Sequence, residues 1–256
     1  MPVLDVTDVE SMIRILAIAA DPLVDMPVAD RKRAIMEQVA ALLGADVWIW
    51  ITAKLNSQRV GDAMAVSIVD GGWADERERA EVFRVIIHPE LQPTVTAPMH
   101  HAVLENRSLT YSRRELMNDE DWNSSRTGQI WRTTGFDHFV LSVYPVGEGL
   151  HSGIGFHRRL GKPAFTERDQ TVVHVMFQQI DWLHRHGSSV PASEKVVELS
   201  PRERQVMLLL LGGVTRKQVA AVLNLSEHTV ADYLKVIYRK LGVGNRTELL
   251  AKFIPR

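Results

Sequence analysis

The stretch that most restricts what this chain can become lies near its C-terminus, LSPRERQVMLLLLGGVTRKQVAAVLNLSEHTVADYLKVIYRKL, from Leu199 to Leu241. It holds three helix patterns, each with its own start signal. Ser200-Pro201-Arg202-Glu203 is a capping box with proline at the first helical position: the serine hydroxyl accepts from a free N–H, and the glutamate reaches back. Val206, Leu209 and Leu210 then share one face, and Gly212-Gly213 stops the helix. Thr215 caps a short second helix with Val219, Ala220 and Leu223 inward. Asn224-Leu225 makes a turn, and Ser226 caps a third helix. In that helix Val230, Leu234, Ile237 and Leu241 form a core stripe, with Glu227 early and Lys235, Arg239 and Lys240 late, the order that the helix dipole favours. Two short helices joined by a tight turn, the second with a polar outer face, make the pattern of a helix-turn-helix.

The same run resembles the LuxR-type helix-turn-helix of bacterial transcription regulators. The family's opening L-[ST]-x-R-E-x-x-V is met by Leu199, Ser200, Arg202, Glu203 and Val206. Its middle G-x-[ST]-x-x-x-I-A-x-x-L is met by Gly213, Thr215, Ala220 and Leu223, with Val219 for isoleucine. Its end is met by Ser226, Thr229, Val230, Ile237, Lys240, Leu241 and Val243, with Tyr233 where the family carries histidine. The resemblance covers residues 197–256 and implies an all-α DNA-binding domain. It places Ala231, Asp232 and Lys235 at base edges, where lysine can donate to guanine O6/N7 and aspartate can accept from cytosine N4. Thr229, Tyr233, Arg239 and Lys240, with Arg216 and Lys217 of the preceding helix, would hold phosphates, and His228 lies on the same outward face. The competing reading is a helical interaction module with a solvated polar face.

Charge divides the chain in the sense expected for a polyanion-binding end. From Val196 onward there are ten Lys/Arg against five Asp/Glu, whereas the first 195 residues carry twenty against twenty-six. At 256 residues there is room for two medium domains. The absence of cysteine excludes disulfides and thiolate metal sites, and fits a reducing, cytoplasmic setting. No apolar run is long enough to cross a bilayer, so no membrane role is expected.

The first 187 residues read as one α+β domain. Thr7-x-x-Glu10 opens a helix with Met12, Ile13 and Leu16 inward, and a second helix spans 29–43 with Gly44 as its stop. Strands follow at 45–52 and 63–69, then a charged helix at 75–87, a short helix after Pro98 and a short strand at 108–111. The polar stretch 112–134 carries one or two short helices. A hairpin pairs 139–146 with 150–158 around Gly147-Glu148-Gly149, and Thr166-x-x-Asp169 starts a long helix to about 186. Residues 188–196 read as a linker and 197–256 as the helical module.

Residues 139–183 resemble the last third of a GAF domain. The match includes Tyr144-Pro145-Val146, the glycine-containing turn, Gly153-Ile154-Gly155 and Pro163-x-Phe165-Thr166-x-x-Asp169. That resemblance implies a GAF-like sensor with an antiparallel sheet and helices, ahead of the LuxR-type domain. Trp131, Tyr144 and Phe156 are the candidate lining of a small-molecule pocket, although aromatics at such spacings also serve as plain core. The W-x-x-x-Y constellation of autoinducer-binding domains has no counterpart that can be placed. The ten histidines lack zinc-pair spacing, so no metal or cofactor is expected, and no nucleophile–base constellation suggests an enzyme. A phosphorylated receiver domain would need a different strand spacing.

The expected protein is a dimeric, sequence-specific DNA-binding regulator modulated by a small ligand, with double-stranded DNA as partner and RNA polymerase as a further candidate. Val175, Gln178 and Trp182, off the main stripe of the helix from 166, are candidates for a dimer seam. Two alternatives stay open: a quorum-sensing-type regulator with an autoinducer-binding domain, and a ligand-independent DNA-binding protein whose first domain only dimerises.

Overall fold

The computed structural model describes residues 4–20, 26–185 and 199–254. The linker expected over 188–196 and the boundary at 187 fall outside them. Helices α1 (Val6–Ala20) and α2 (Val28–Leu43) precede strands β1 (Val47–Leu55) and β2 (Ala63–Gly71) and helix α3 (Glu76–Ile86). A single π-helical turn at Gln92–Thr96 leads into α4 (Ala97–Leu104), then β3 (Leu109–Ser112). Three short helices follow, α5 (Arg113–Leu116), α6 (Asp119–Ser124) and α7 (Arg126–Arg132). The long hairpin β4 (Phe136–Gly147) and β5 (Leu150–Arg159) and helices α8 (Glu167–Gln178) and α9 (Asp181–Arg185) complete the α+β part. Four helices end the chain: α10 (Pro201–Leu211), α11 (Arg216–Leu223), α12 (Glu227–Leu241) and α13 (Arg246–Phe253).

The five strands form one antiparallel sheet in the order β2-β1-β5-β4-β3. Side chains alternate between its faces, so each strand serves two cores. Trp48 and Trp50 of β1, Ile154 and Phe156 of β5 and Val140 of β4 pack under α1, α2, α8 and α9. On the other face Val47 and Ile49 join Met64, Ala65, Ile68 and Phe83 in a core that runs on without a break into the helical module, through Val206, Leu209, Leu210, Val230 and Ile237. Phe139, Leu141, Trp122 and Trp131 fill the remaining corner with Tyr111.

Several local expectations shift. The N-terminal cap of α1 is Asp5, whose carboxylate accepts from the Asp8 N–H at 2.8 Å, not Thr7. The buried stripe of α1 runs through Asp8, Met12 and Ile15, and Ile13 is 61% exposed. Ion pairing of Asp8 with Arg168 on α8 fixes that rotation. The stretch 112–134 makes three short helices rather than one or two. Residues 167–185 make two helices rather than one, because the chain breaks at Gln179-Ile180. Val175 and Trp182 are half-buried against the core under α8 and α9.

Candidate nucleic-acid interface and buried cavity

The caps read from the sequence of the helical module are formed. Ser200 and Glu203 exchange hydrogen bonds at 2.7 and 3.3 Å, and Thr215 and Gln218 do so at 3.0 and 3.3 Å. Ser226 accepts from the Thr229 N–H at 3.0 Å. Asn224 takes the left-handed conformation, φ 52°, at the turn between α11 and α12. A fourth helix, α13, was not read from the sequence: Asn245 caps it by accepting from the Glu248 N–H, and Leu249 and Phe253 seal the module. Its signal was the Asn245-x-x-Glu248 box ahead of a leucine pair.

Helix α12 is held by Val230, Ile237 and Leu241, all buried, so its opposite face is turned outward. His228, Asp232, Lys235 and Arg239 are exposed on that face, with Ala231 and Tyr233 half-buried beside them. Arg216 and Lys217 stand exposed at the start of α11, and Thr229 lies half-buried in the first turn of α12. The face is internally paired. Asp232 accepts from the Lys235 ammonium at 3.1 Å and lies 3.5 Å from His228 Nε2, while Arg216 lies 3.6 Å from Glu227. Lys240 departs from the expectation of a phosphate contact. It donates to Glu203 at 2.8 Å and so ties α12 to the capping box of α10, because its position on the helix points toward the module's interior.

The helical module is docked on the sheet domain. Arg204 of α10 pairs with Asp62 beside β2, both about 10% exposed. Arg79 of α3 donates to Asp70 through Nε and Nη2, and to the Leu211 carbonyl at 2.7 Å, capping the C-terminus of α10. Gly212 lies so close to Phe83 that a Cβ there would sit 2.2 Å from the phenylalanine Cβ.

Beneath this contact, a cavity of about 190 Å³ opens on the sheet face that carries Ile49, Ile51 and Ala53 of β1. Trp131 is among its lining residues. Tyr144 and Phe156 are not, because alternation along β4 and β5 points them to the opposite face. There the Tyr144 hydroxyl donates to Asp181 at 2.7 Å and its ring stacks on His184 at 4.2 Å, while Phe156 packs on Phe177. The residues that the sequence reading missed are His151, Gly153, Gly155 and His157, which follow each other at period two on β5. The glycines make the room: a Cβ at Gly155 would lie 2.8 Å from His157 Nε2 and 3.1 Å from Leu141 Cδ2. That His-x-Gly-x-Gly-x-His alternation was the available signal. Gln92 and Thr96 add polar groups, and Leu208 of α10 closes part of the wall. Burial pushes the His157 imidazole down to about 3. It pushes His151 down to about 4, against a hydrogen bond with the Gly149 carbonyl that acts the other way. Both rings are therefore neutral near pH 7.

Among the described residues no group of His, Cys, Asp and Glu could hold a metal ion, and no helix is long and apolar enough to cross a membrane.

The family model of bacterial regulatory proteins, luxR family, matches residues 197–253, which span the four C-terminal helices. A protein of Streptomyces halstedii named as the HTH-type transcriptional regulator GfsR is 39% identical over 70 residues, covering 27% of each chain. A protein of Aeromonas salmonicida named as an HTH-type transcriptional regulator in the exeN 3′ region is 31% identical over 150 residues, covering 49% of this chain and 76% of the other. The solved structure of SdiA in complex with octanoyl-rac-glycerol aligns over 98% of this chain and 96% of that one, at 16% identity and a TM-score of 0.43. The chain thus spans about a quarter of the Streptomyces relative and three quarters of the Aeromonas one. With that second match, and with the helix-turn-helix bearing the family's residues in the family's order, the chain belongs to the HTH-type transcriptional regulators of the bacterial luxR family.

Proposed function

We propose that the protein binds double-stranded DNA sequence-specifically as a homodimer and that a small molecule in the cavity of the sheet domain tunes this binding. The observation that carries the DNA reading is the outward face of α12, anchored by three buried apolar residues and presenting Asp232, Lys235 and Arg239 to solvent. A helix so held can enter a major groove, with Lys235 and Asp232 at base edges and Arg216, Lys217 and Arg239 on phosphates. Two such helices are needed for a two-fold site. The exposed apolar stripe of α1, Val6, Val9 and Ile13, supports pairing of two copies through the sheet domain. The GAF-like reading of that domain and a cytoplasmic location, where the chromosome is reached, belong to the same proposal.

The ligand reading rests on Leu208. Because a residue of α10 forms part of the cavity wall, an occupant touches both modules and can favour one of their arrangements over another.

Selection of binding sequences from a random duplex library, followed by titration of the chosen duplex at two salt concentrations, tests the central claim. Three cationic phosphate contacts per half-site, from Arg216, Lys217 and Arg239, give a slope of log K against log salt of about −5 for a dimer. Lys235→Ala should lower affinity for the selected site by about 1–3 kcal/mol and relax base preference at one position. No selectable sequence, or salt-insensitive binding, sinks the proposal.

A further inference from the structure

Where the two modules meet, beside the apolar cavity, lies a second space, a cleft of about 540 Å³. One wall is the turn between β1 and β2, with Arg59, Gly61 and Asp62; the other is the first half of α10, with Arg202, Arg204 and Gln205. Gln92 lines both the cleft and the cavity. Its amide fits there because position 61 is glycine: a Cβ on Gly61 would lie 1.6 Å from Gln92 Oε1. The two spaces differ in character. Three arginines line the cleft, and Asp62 is the sole carboxylate among its lining residues.

That carboxylate is already engaged. Asp62 Oδ1 accepts from Arg204, and Oδ2 accepts from the Ser57 hydroxyl at 2.6 Å. Burial alone would raise the Asp62 pKa, but these hydrogen bonds and the charges of Arg204 and Arg59 outweigh it and hold the carboxyl below its usual range. Arg59 thus lies within the field of Asp62, yet among the described residues its exposed guanidinium has no hydrogen-bond or ion-pair partner. Arg202 donates to neutral acceptors, the Leu223 carbonyl at 2.7 Å and Gln205 Oε1 at 3.0 Å. With Arg204 balanced by Asp62, two positive charges line the cleft without a counter-charge, one on each module.

A guanidinium grips an oxyanion through a planar fork of donors. A carboxylate offers two oxygens and a single charge, enough for one fork. A phosphate monoester carries three terminal oxygens and close to two negative charges at neutral pH, enough for a fork on either side. The volume lies within the range of small-molecule sites, about 300–1,000 Å³, so the phosphate can carry an organic group. We infer that the cleft is a second ligand site, one that takes a small phosphate monoester clamped between Arg59 of the sheet domain and Arg202 of the helical module. Because each module supplies one fork, occupancy strengthens their docking. The site is distinct from the apolar cavity and does not depend on what that cavity holds.

Two probes of similar size separate the alternatives: phenyl phosphate and benzoate, titrated by calorimetry into the full-length protein in a phosphate-free buffer. Phenyl phosphate should bind about tenfold more tightly than benzoate, since only it can engage both forks. Arg59→Ala, in an exposed turn where folding is not at stake, should weaken phenyl phosphate about tenfold. Arg202→Gln, which keeps an amide donor and removes the charge, should do the same from the other wall. Arg239→Ala, on the face offered to DNA, should leave phenyl phosphate binding unchanged and so exclude that face as its site. Failure of phenyl phosphate to bind, equal binding of benzoate, affinity that survives either Arg59→Ala or Arg202→Gln, or loss of binding in Arg239→Ala overturns the assignment.

Discussion

The buried histidines make the sheet domain sensitive to acid. Burial holds His151 and His184 down to about 4 and His157 down to about 3, whereas an unfolded chain titrates each near 6.5. Between those values the unfolded state binds protons that the folded state refuses. The stabilisation is complete above pH 6.5 and is lost as the pH falls toward 4. Each group contributes up to about 1.4 kcal/mol per pH unit in that window. Urea midpoints should fall steeply from pH 6.5 to 4, and His157→Phe should flatten part of that slope. A midpoint independent of pH over this range would contradict the burial of the three rings. Asp232 poses a different question. Its carboxylate engages Lys235 at 3.1 Å on the face offered to DNA, so the two must separate before either can reach a base. Exposed pairs are weak, so Asp232→Ala should raise affinity for non-selected duplex only about two- to fivefold, while lowering discrimination at the selected site. A fluorescence anisotropy titration against both duplexes gives the ratio.

At the scale of elements, what could be read from the sequence was whatever is fixed by a few neighbouring residues. The boxes at Ser200, Thr215 and Thr166 located helix starts because the donor and acceptor that make a cap lie three residues apart. The β4–β5 hairpin was likewise legible in Gly147-Glu148-Gly149. The place of Ile13 was not: Met12 and Leu16 pack inward as read, but the pairing of Asp8 with Arg168, far along the chain, turns Asp8 and Ile15 inward and leaves Ile13 exposed. The pocket failed for a related reason. Tyr144 and Phe156 are aromatic, but which sheet face hosts a cavity depends on what covers it, and the cover includes α10 from the other module. The helix-turn-helix was legible almost residue by residue; Lys240 was the exception, since Glu203 lies on a different helix. The exposure of Ile13 has its own consequence. Val6, Val9 and Ile13 form an exposed apolar row, the support for the proposed pairing, and Ile13→Glu should shift the proposed homodimer to a monomer in sedimentation velocity without loss of helicity. An unchanged sedimentation coefficient would remove this row as a support for pairing.

For the whole molecule the decisive feature is that the sheet domain and the helical module do not have separate cores where they meet. Phe83, Ile68 and Val47 belong to the same apolar cluster as Val206, Leu210 and Ile237. The contact is reinforced by the Arg204–Asp62 pair and by Arg79 on the Leu211 carbonyl. An occupant of the cavity that prefers the docked arrangement must change DNA affinity if DNA prefers another one, and DNA must change the affinity for that occupant by the same factor.

The close passage of Gly212 over Phe83 carries that continuity into the melting behaviour of the chain. Two modules joined only by a tether unfold independently and give two heat-absorption peaks; modules that share one interior unfold together. Differential scanning calorimetry should therefore record a single cooperative transition for the wild type. Gly212→Val places bulk where Phe83 Cβ already stands, 2.2 Å from the first added carbon, and should split that peak in two, the helical module melting on its own. A hydrogen atom at position 212 is what lets the end of α10 pass this close to Phe83.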